Sequence, residues 1–393
     1  MRALIIESGM ARAALASARA LSSAGWTVGV GTPDGGGMTA VSRSCAAAHV
    51  VPSAHADPRG FIRAINRATA SHGYEVVFVT GDAEALLLSA ERASVDATVP
   101  FPDHETLVRS YDKWDLTQAC LRVGLPVPTT LLAADSPIDA LGFPVVVKPR
   151  LHWTPGRADA PARHEAAIAQ TEQEATRLVR AIENAGQQAL LQEVVHGRPV
   201  NYHLVADRQG ALLTSVLQLS EPLLWPPGAG IRTRSHTAPV PADLREKIAA
   251  LMRDLGWHGL AGLNFIEAPG REPLLTDFNG RLLASIALSI CAGVNLPAIW
   301  ASQATGRPLP PPAAARVDVA FQWLDGDLRR AVREGRGGVP ADLLGTLRYA
   351  TRAHHTTWDP KDLRPSVFLA ARRVREAAHH LPGLRARKDA ARS

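Results

Sequence analysis

Residues 274–281 read LLTDFNGR, and the way these eight residues are parsed decides the rest of the chain. Asp277 and Asn279 are two apart in a strand-like stretch, so their side chains project to one face. Two hard oxygen donors at a strand end make a ligand pair for magnesium, which bridges protein carboxylates to phosphates. Arg281 follows at once, a planar and permanently charged fork suited to a carboxylate or a phosphoryl group. Upstream, GLAGLNFIEA (259–268) reads as the partner strand. It carries the oxygen donors Asn264 and Glu267.

Working outward, ADLREKIAALMRDLG (242–256) reads as an amphipathic helix and NYHLVADRQGALLTSVLQL (201–219) as strand, turn and strand. Between them EPLLWPPGAGIRTRS (221–235) is a Pro/Gly loop. Its Arg232 and Arg234 either clamp a substrate carboxylate or sit in solvent. QALLQEVVHG (188–197) is a strand running into a turn, TEQEATRLVRAIENAG (171–186) a helix, and FPVVVKPR (143–150) a β-branched strand closed by Lys148-Pro149. HETLVRSYDKWDLTQACLRVG (104–124) is helical, with Lys113 at a helix start. Lys113 and Lys148 are compact point charges that suit converging phosphates.

The first hundred residues alternate ALII, MARAALASARALSSAG, TVGVGT, AHVVPS, FIRAINRATASHG and YEVVFVT, the pattern of βαβ units around a parallel sheet. A dinucleotide fingerprint is missing, because Gly29-Val30-Gly31 is followed by Thr-Pro-Asp and the third glycine is out of register. No Gly-Lys pair exists for a Walker A loop. A chain of 393 residues suits two or three domains, and no apolar run approaches the roughly 20 residues of a membrane helix. The N-terminus lacks a secretory pattern, and Cys45, Cys120 and Cys291 are few and scattered, so a cytoplasmic protein with reduced thiols is expected. Seven Lys or Arg against two acids in residues 371–393 supply +5 of the +6 net charge, leaving a near-neutral body. A solvated helix end explains that tail better than a nucleic-acid footprint.

The order YDK (111–113), GLPVP (124–128), PVVVKP (144–149), LLQEVVHG (190–197) and TDFNGR (276–281) resembles the ATP-grasp superfamily of carboxylate–amine ligases, over roughly residues 1–310. The resemblance implies that Lys113 and Lys148 hold the phosphates of ATP, that Glu193 and Val195 face adenine, and that Asp277, Asn279 and Asn264, or Glu267 in place of Asn264 if the register shifts, hold Mg2+, or Mn2+ in its place. Arg281 and Lys148 would then serve the chemistry. Asn201 stands where relatives often carry a ribose-binding acid. Asp277 is a shortened version of the family's glutamate. HWTPGRADAPARHE (152–165) falls where the family has a loop that covers the phosphates, while His152, His164 and Glu165 read as surface residues. His354-His355 reads as part of a packed turn.

The fold expected is α/β and α+β. An open parallel-sheet domain spans 1–100 and a two-lobed nucleotide clamp 101–310, with lobe 1 about 111–195 and lobe 2 about 196–310. A mainly helical extension with the basic tail spans 316–393. The function implied is ATP-dependent ligation of a carboxylate to an amine through an acyl-phosphate. An ATP-dependent carboxylase and a degenerate nucleotide-binding or regulatory protein are the rivals. Expected partners are small-molecule carboxylate and amine substrates, with no membrane insertion, nucleic acid disfavoured and a homodimer allowed.

Overall fold

The computed structural model describes residues 1–9, 11–153, 165–226 and 231–376. Most of the expected covering loop, Gly228 and Gly230, and the basic tail beyond 376 lie outside the described residues. β1 (Arg2–Ile6), α1 (Ala11–Ser23), β2 (Thr27–Thr32), β3 (Cys45–Val50), α2 (Pro58–His72), β4 (Val76–Val79) and α3 (Asp82–Ala90) form the N-terminal domain. Its sheet is parallel, in the order β3-β2-β1-β4. Helices cover both faces, so Leu4, Ile5, Val76 and Val77 are fully buried, and the strands are apolar throughout. Asp57 caps α2 by accepting from the Gly60 amide, and Gly73 ends it in the left-handed region at φ 65°. Strand order reverses between β1 and β4. The C-terminal ends of those two strands therefore open onto the crevice where such sheets bind ligands.

α4 (His104–Tyr111) and α5 (Lys113–Arg122) follow, two helices where the sequence reads as one helical stretch. Asp112 makes the break: its carboxylate accepts from the Trp114 and Asp115 amides and pairs with Arg150 at 2.7 Å. β5 (Thr130–Leu132), β6 (Val145–Pro149), β7 (Ala167–Ala169), α6 (Glu172–Asn184) and β8 (Ala189–Glu193) build lobe 1, an antiparallel sheet β5-β8-β6-β7. Val145, Val147, Ala175, Val179, Ile182 and Leu191 give it a core of its own.

Lobe 2 comprises β9 (Arg198–Ala206), β10 (Leu212–Ser220), the hairpin β11 (Leu224–Trp225) and β12 (Ile231–Arg232), β13 (Arg234–Ala238), α7 (Ala242–Leu255), β14 (Gly259–Glu267), β15 (Leu274–Asn279), α8 (Ile286–Cys291) and α9 (Leu296–Ala304). Beyond the Pro-rich run come β16 (Ala320–Gln322), α10 (Leu324–Glu334), α11 (Val339–Ala350) and a helix over 364–376. This last region is mainly helical, but it is more than an added helical extension. β16 pairs with β13 and completes the antiparallel sheet β15-β14-β9-β10-β13-β16. No helix among the described residues is long and apolar enough to cross a membrane.

The N-terminal domain and lobe 2 share one core, in which Phe78 and Trp300 lie 4.7 Å apart and the Trp300 indole donates to the Pro100 carbonyl at 3.1 Å. Gly280 shows how tightly that core grips the strand end. A Cβ there would stand 2.1 Å from Cη2 of Trp257, a ring that is itself buried. Gly280→Ala is expected to destabilise the protein by about 1–3 kcal/mol through overpacking. A lowered denaturation midpoint at unchanged slope checks this.

Candidate functional site

β14 carries Asn264 opposite Asp277 of β15 on one side and opposite Asn201 of β9 on the other. Paired residues of an antiparallel ladder share a face, so the three form one polar row across three strands. The next row is His203, Gly262 and Asn279. Thr276, just before Asp277, is the extra residue of a β15 bulge between the Asn264–Asp277 and Phe265–Leu275 pairs, and its hydroxyl donates to the Asn264 carbonyl at 3.0 Å. Asn279 donates its amide to Asp277 at 3.3 Å and accepts from Arg281 at 3.0 Å. Arg281 in turn donates Nε to Asp82 at 2.6 Å. A continuous chain of contacts thus ties the end of β15 to the first residue of α3, in the β1/β4 crevice.

Burial works against ionisation of Asp82. The Arg281 guanidinium beside it, helped by His152 and Lys113, outweighs that penalty and holds its carboxyl below the usual range. Burial likewise opposes the charge on Arg281, and Asp82 restores it. The pair is an ion pair in the folded protein.

Lys148, at the end of β6, is 5% exposed and donates Nζ to Oε1 of Gln192 at 3.0 Å; Gln192 donates onward to the Thr130 hydroxyl at 2.8 Å. Burial pushes the Lys148 ammonium down to about 7, the charge of Lys113 pushes the same way, and Asp277 pulls back. Lys113 is 4% exposed at the first turn of α5. It lines a narrow cavity of about 10 Å3 with Asp82, Tyr111, His152, Trp153 and Asp277. The structure therefore gathers Lys113, Lys148, Asp277, Asn279, Asn264, Asn201 and Arg281 about one focus, although they come from two separate sheets and the start of α5.

Other expected residues sit elsewhere. Glu193 is at the rim, where its carboxylate accepts from the Thr129 amide at 3.1 Å and pairs with Arg271 at 3.2 Å. Val195 lies in the turn between β8 and β9, and its N–H and C=O find no backbone partner among the described residues. Glu267 pairs with Arg198 at the far end of β14, so Asn264 and not Glu267 faces Asp277. Arg234 is bound to the buried Asp327 at 2.6 Å and stacks 4.4 Å from the Tyr349 ring centroid, committing it to packing β13 against α10 and α11. Arg232 is on the hairpin strand β12, partly buried, with its guanidinium lowered by that burial. His152, expected on the surface, lines the central cavity instead. His355 is held between the Gln322 and Ala350 carbonyls, as a packed turn requires.

Sequence reasoning missed Asp82 and Gln192. Their signals were present: Thr80-Gly81-Asp82 directly follows the apolar β4, and Gln192 is the lone polar side chain within ALLQ. Neither stands out until the sheets are docked. As a metal site, the donor set holds one carboxylate, Asp277, with amide oxygens from Asn264 and Asn279. Among the described residues no group of three or more His, Cys, Asp or Glu gathers. That set fits a magnesium ion held chiefly by phosphate oxygens, the usual manner for this ion beside a nucleotide.

Comparison with solved structures bears on the fold. The chain is similar to an N5-carboxyaminoimidazole ribonucleotide synthetase in an ADP complex, with TM-score 0.62, 15% identity, and 86% of this chain and 85% of that chain covered. Biotin carboxylase from Campylobacter jejuni in its β,γ-ATP complex gives 0.62, 14%, 81% and 74%. L-amino acid ligase from Bacillus licheniformis gives 0.58, 12%, 80% and 75%. The chain has the ATP-grasp fold. No protein-family profile and no curated sequence matches it.

Proposed function

We propose that this protein is an ATP-dependent ligase that joins a small carboxylate to an amine through an acyl-phosphate. The observation that carries this reading is the convergence of two buried lysines, Lys113 and Lys148, on Asp277 beside the Arg281–Asp82 pair. Each lowers the other's tendency to hold a proton, and a polyphosphate brought between them favours the charged form of both. Val195, in the turn after β8, would offer its backbone N–H and C=O to the edge of adenine, and Asn201, in one row with Asn264 and Asp277, would bond the ribose. Asp277, with Asn264 and Asn279, would hold magnesium, which supplies charge neutralisation on the phosphates.

In the reaction, a carboxylate oxygen of the first substrate bonds to the terminal phosphorus as its bond to the bridging oxygen breaks and ADP leaves. The amine then attacks the acyl carbon, the C–N bond forms, the C–O bond to phosphate breaks, and the nitrogen gives up its proton to solvent. Positioning and charge stabilisation, and little acid–base work, are what the first step needs. Lys148 and Arg281 supply those charges from fixed, dry positions.

The test uses hydroxylamine as a generic amine with a panel of small carboxylic acids and MgATP. ADP release with hydroxamate formation for at least one acid is expected; ADP binding without turnover on any acid refutes the ligase reading and leaves a regulatory nucleotide-binding protein. Similarity to carboxylases gives a second reading, bicarbonate as the acid. ADP release that requires bicarbonate and no other acid selects it.

A further inference from the structure

A cavity of about 290 Å3 lies over the C-terminal ends of β1 and β2. Glu7 and Gly9 of the β1 end, Met38 beyond β2, Ala284 just after Arg281, and Trp323 between β16 and α10 all line it. Three parts of the chain thus enclose one space. The β1 end that lines it lies beside the β4 end, where the Ser8 and Thr80 hydroxyls are 3.3 Å apart and Asp82 is two residues on.

Its charges are unevenly matched. Asp325 is paired with Arg373 at 2.8 Å, and Arg372 with Glu376 at 2.9 Å. Arg12 is different: its guanidinium stacks 3.9 Å from the Trp323 ring centroid and has no hydrogen-bond or ion-pair partner among the described residues. It sits in the first turn of the 13-residue α1, whose first turn holds no acidic residue, so the helix end adds positive potential. Burial lowers the Arg12 guanidinium to about 10, and the charge of Asp325 opposes that shift. Glu7, on the same cavity, accepts from the Thr39 hydroxyl, and burial with nearby Asp34 raises its carboxyl. Two opposite charges share one small cavity without pairing. Both side chains are half-buried, and a ligand that carries both charges can pair with each of them.

We propose that this cavity is the acceptor site, and that it takes a free amino acid with an apolar side chain, its carboxylate on Arg12 and the α1 N-terminus and its amine toward Glu7. The proposal rests on the ligase reading for the role of acceptor. Arginine stacked on an aromatic ring keeps a flat fork that meets a carboxylate with two bonds. Met38, Ile231, Phe368 and Leu369 supply apolar wall for the side chain. The volume is at the lower end of the roughly 300–1,000 Å3 of drug-sized sites, room for a single amino acid.

The test is calorimetric titration of the full chain, saturated with MgADP, with alanine, valine, leucine, methionine and phenylalanine. Each is matched to its decarboxylated amine and its deaminated acid. At least one amino acid is expected to bind, with both of its analogues weaker by about ten-fold or more. Arg12→Met and Glu7→Gln are expected to weaken that amino acid similarly while leaving ADP affinity unchanged. The proposal fails if no amino acid binds, if an analogue binds as well as its parent, or if Arg12→Met changes nothing. Should Arg12→Met not fold, the analogues alone decide. Absence of ADP binding in the first titration overturns the ligase reading and the acceptor role with it, whereas ADP binding without amino-acid binding overturns this proposal alone.

Discussion

Lys148→Met lowers MgATP affinity by about 10–100-fold, the equivalent of one charge-assisted hydrogen bond of roughly 1.5–3 kcal/mol. The wild-type protein also takes up a proton when MgATP binds at pH 8. Burial and Lys113 hold the Lys148 ammonium near 7, so it is mostly neutral at that pH, and phosphates brought beside it favour the charged form. Calorimetry in buffers of different ionisation enthalpy reads the proton directly, and Lys148→Met removes it. The same shift fixes a stability effect. Between about 7 and the ordinary 10.5 the unfolded chain binds more protons than the folded one, so this residue makes stability rise with pH across that window. In Lys148→Met the rise flattens. Binding that is equally tight, or independent of buffer in the wild type, would remove Lys148 from the nucleotide site.

Asp82→Ala destabilises the protein by about 3–5 kcal/mol, because it strands the guanidinium of Arg281, which is only 8% exposed and cannot shed its charge. Combining it with Arg281→Leu restores much of the loss, since the double variant buries no unpaired charge. Denaturant melts of the two singles and the double give the coupling. If Asp82→Ala costs less than about 1 kcal/mol, solvent reaches Arg281 and the pair is not the link between β15 and the N-terminal domain. In turnover, Asp82→Asn keeps the shape but loosens Arg281, so a fall in kcat with little change in nucleotide affinity is the expected signature.

Local chemistry made much of this legible. The alternation in LLTDFN put Asp277 and Asn279 on one face without reference to any other residue, because a strand has a period of two. The βαβ rhythm of the first hundred residues fixed a parallel sheet, and Lys148 at the end of a β-branched run marked a strand end. Even the break at Asp112 was written locally, as a capping side chain within what read as one helix.

Tertiary structure alone decided the rest. Asn264 prevailed over Glu267 because register is a property of two strands together, and the bulge at Thr276 sets it. Arg234 proved to be bound to Asp327, a partner 93 residues away. Asp82, Gln192 and His152 acquired meaning only when three sheets met, since a pKa shift or an ion pair depends on distance in space and on burial. Sequence order determines which side chains share a face of their own element. Which charges from different elements meet in a dry crevice depends on how those elements pack, and that is where the chemistry of this protein is assembled.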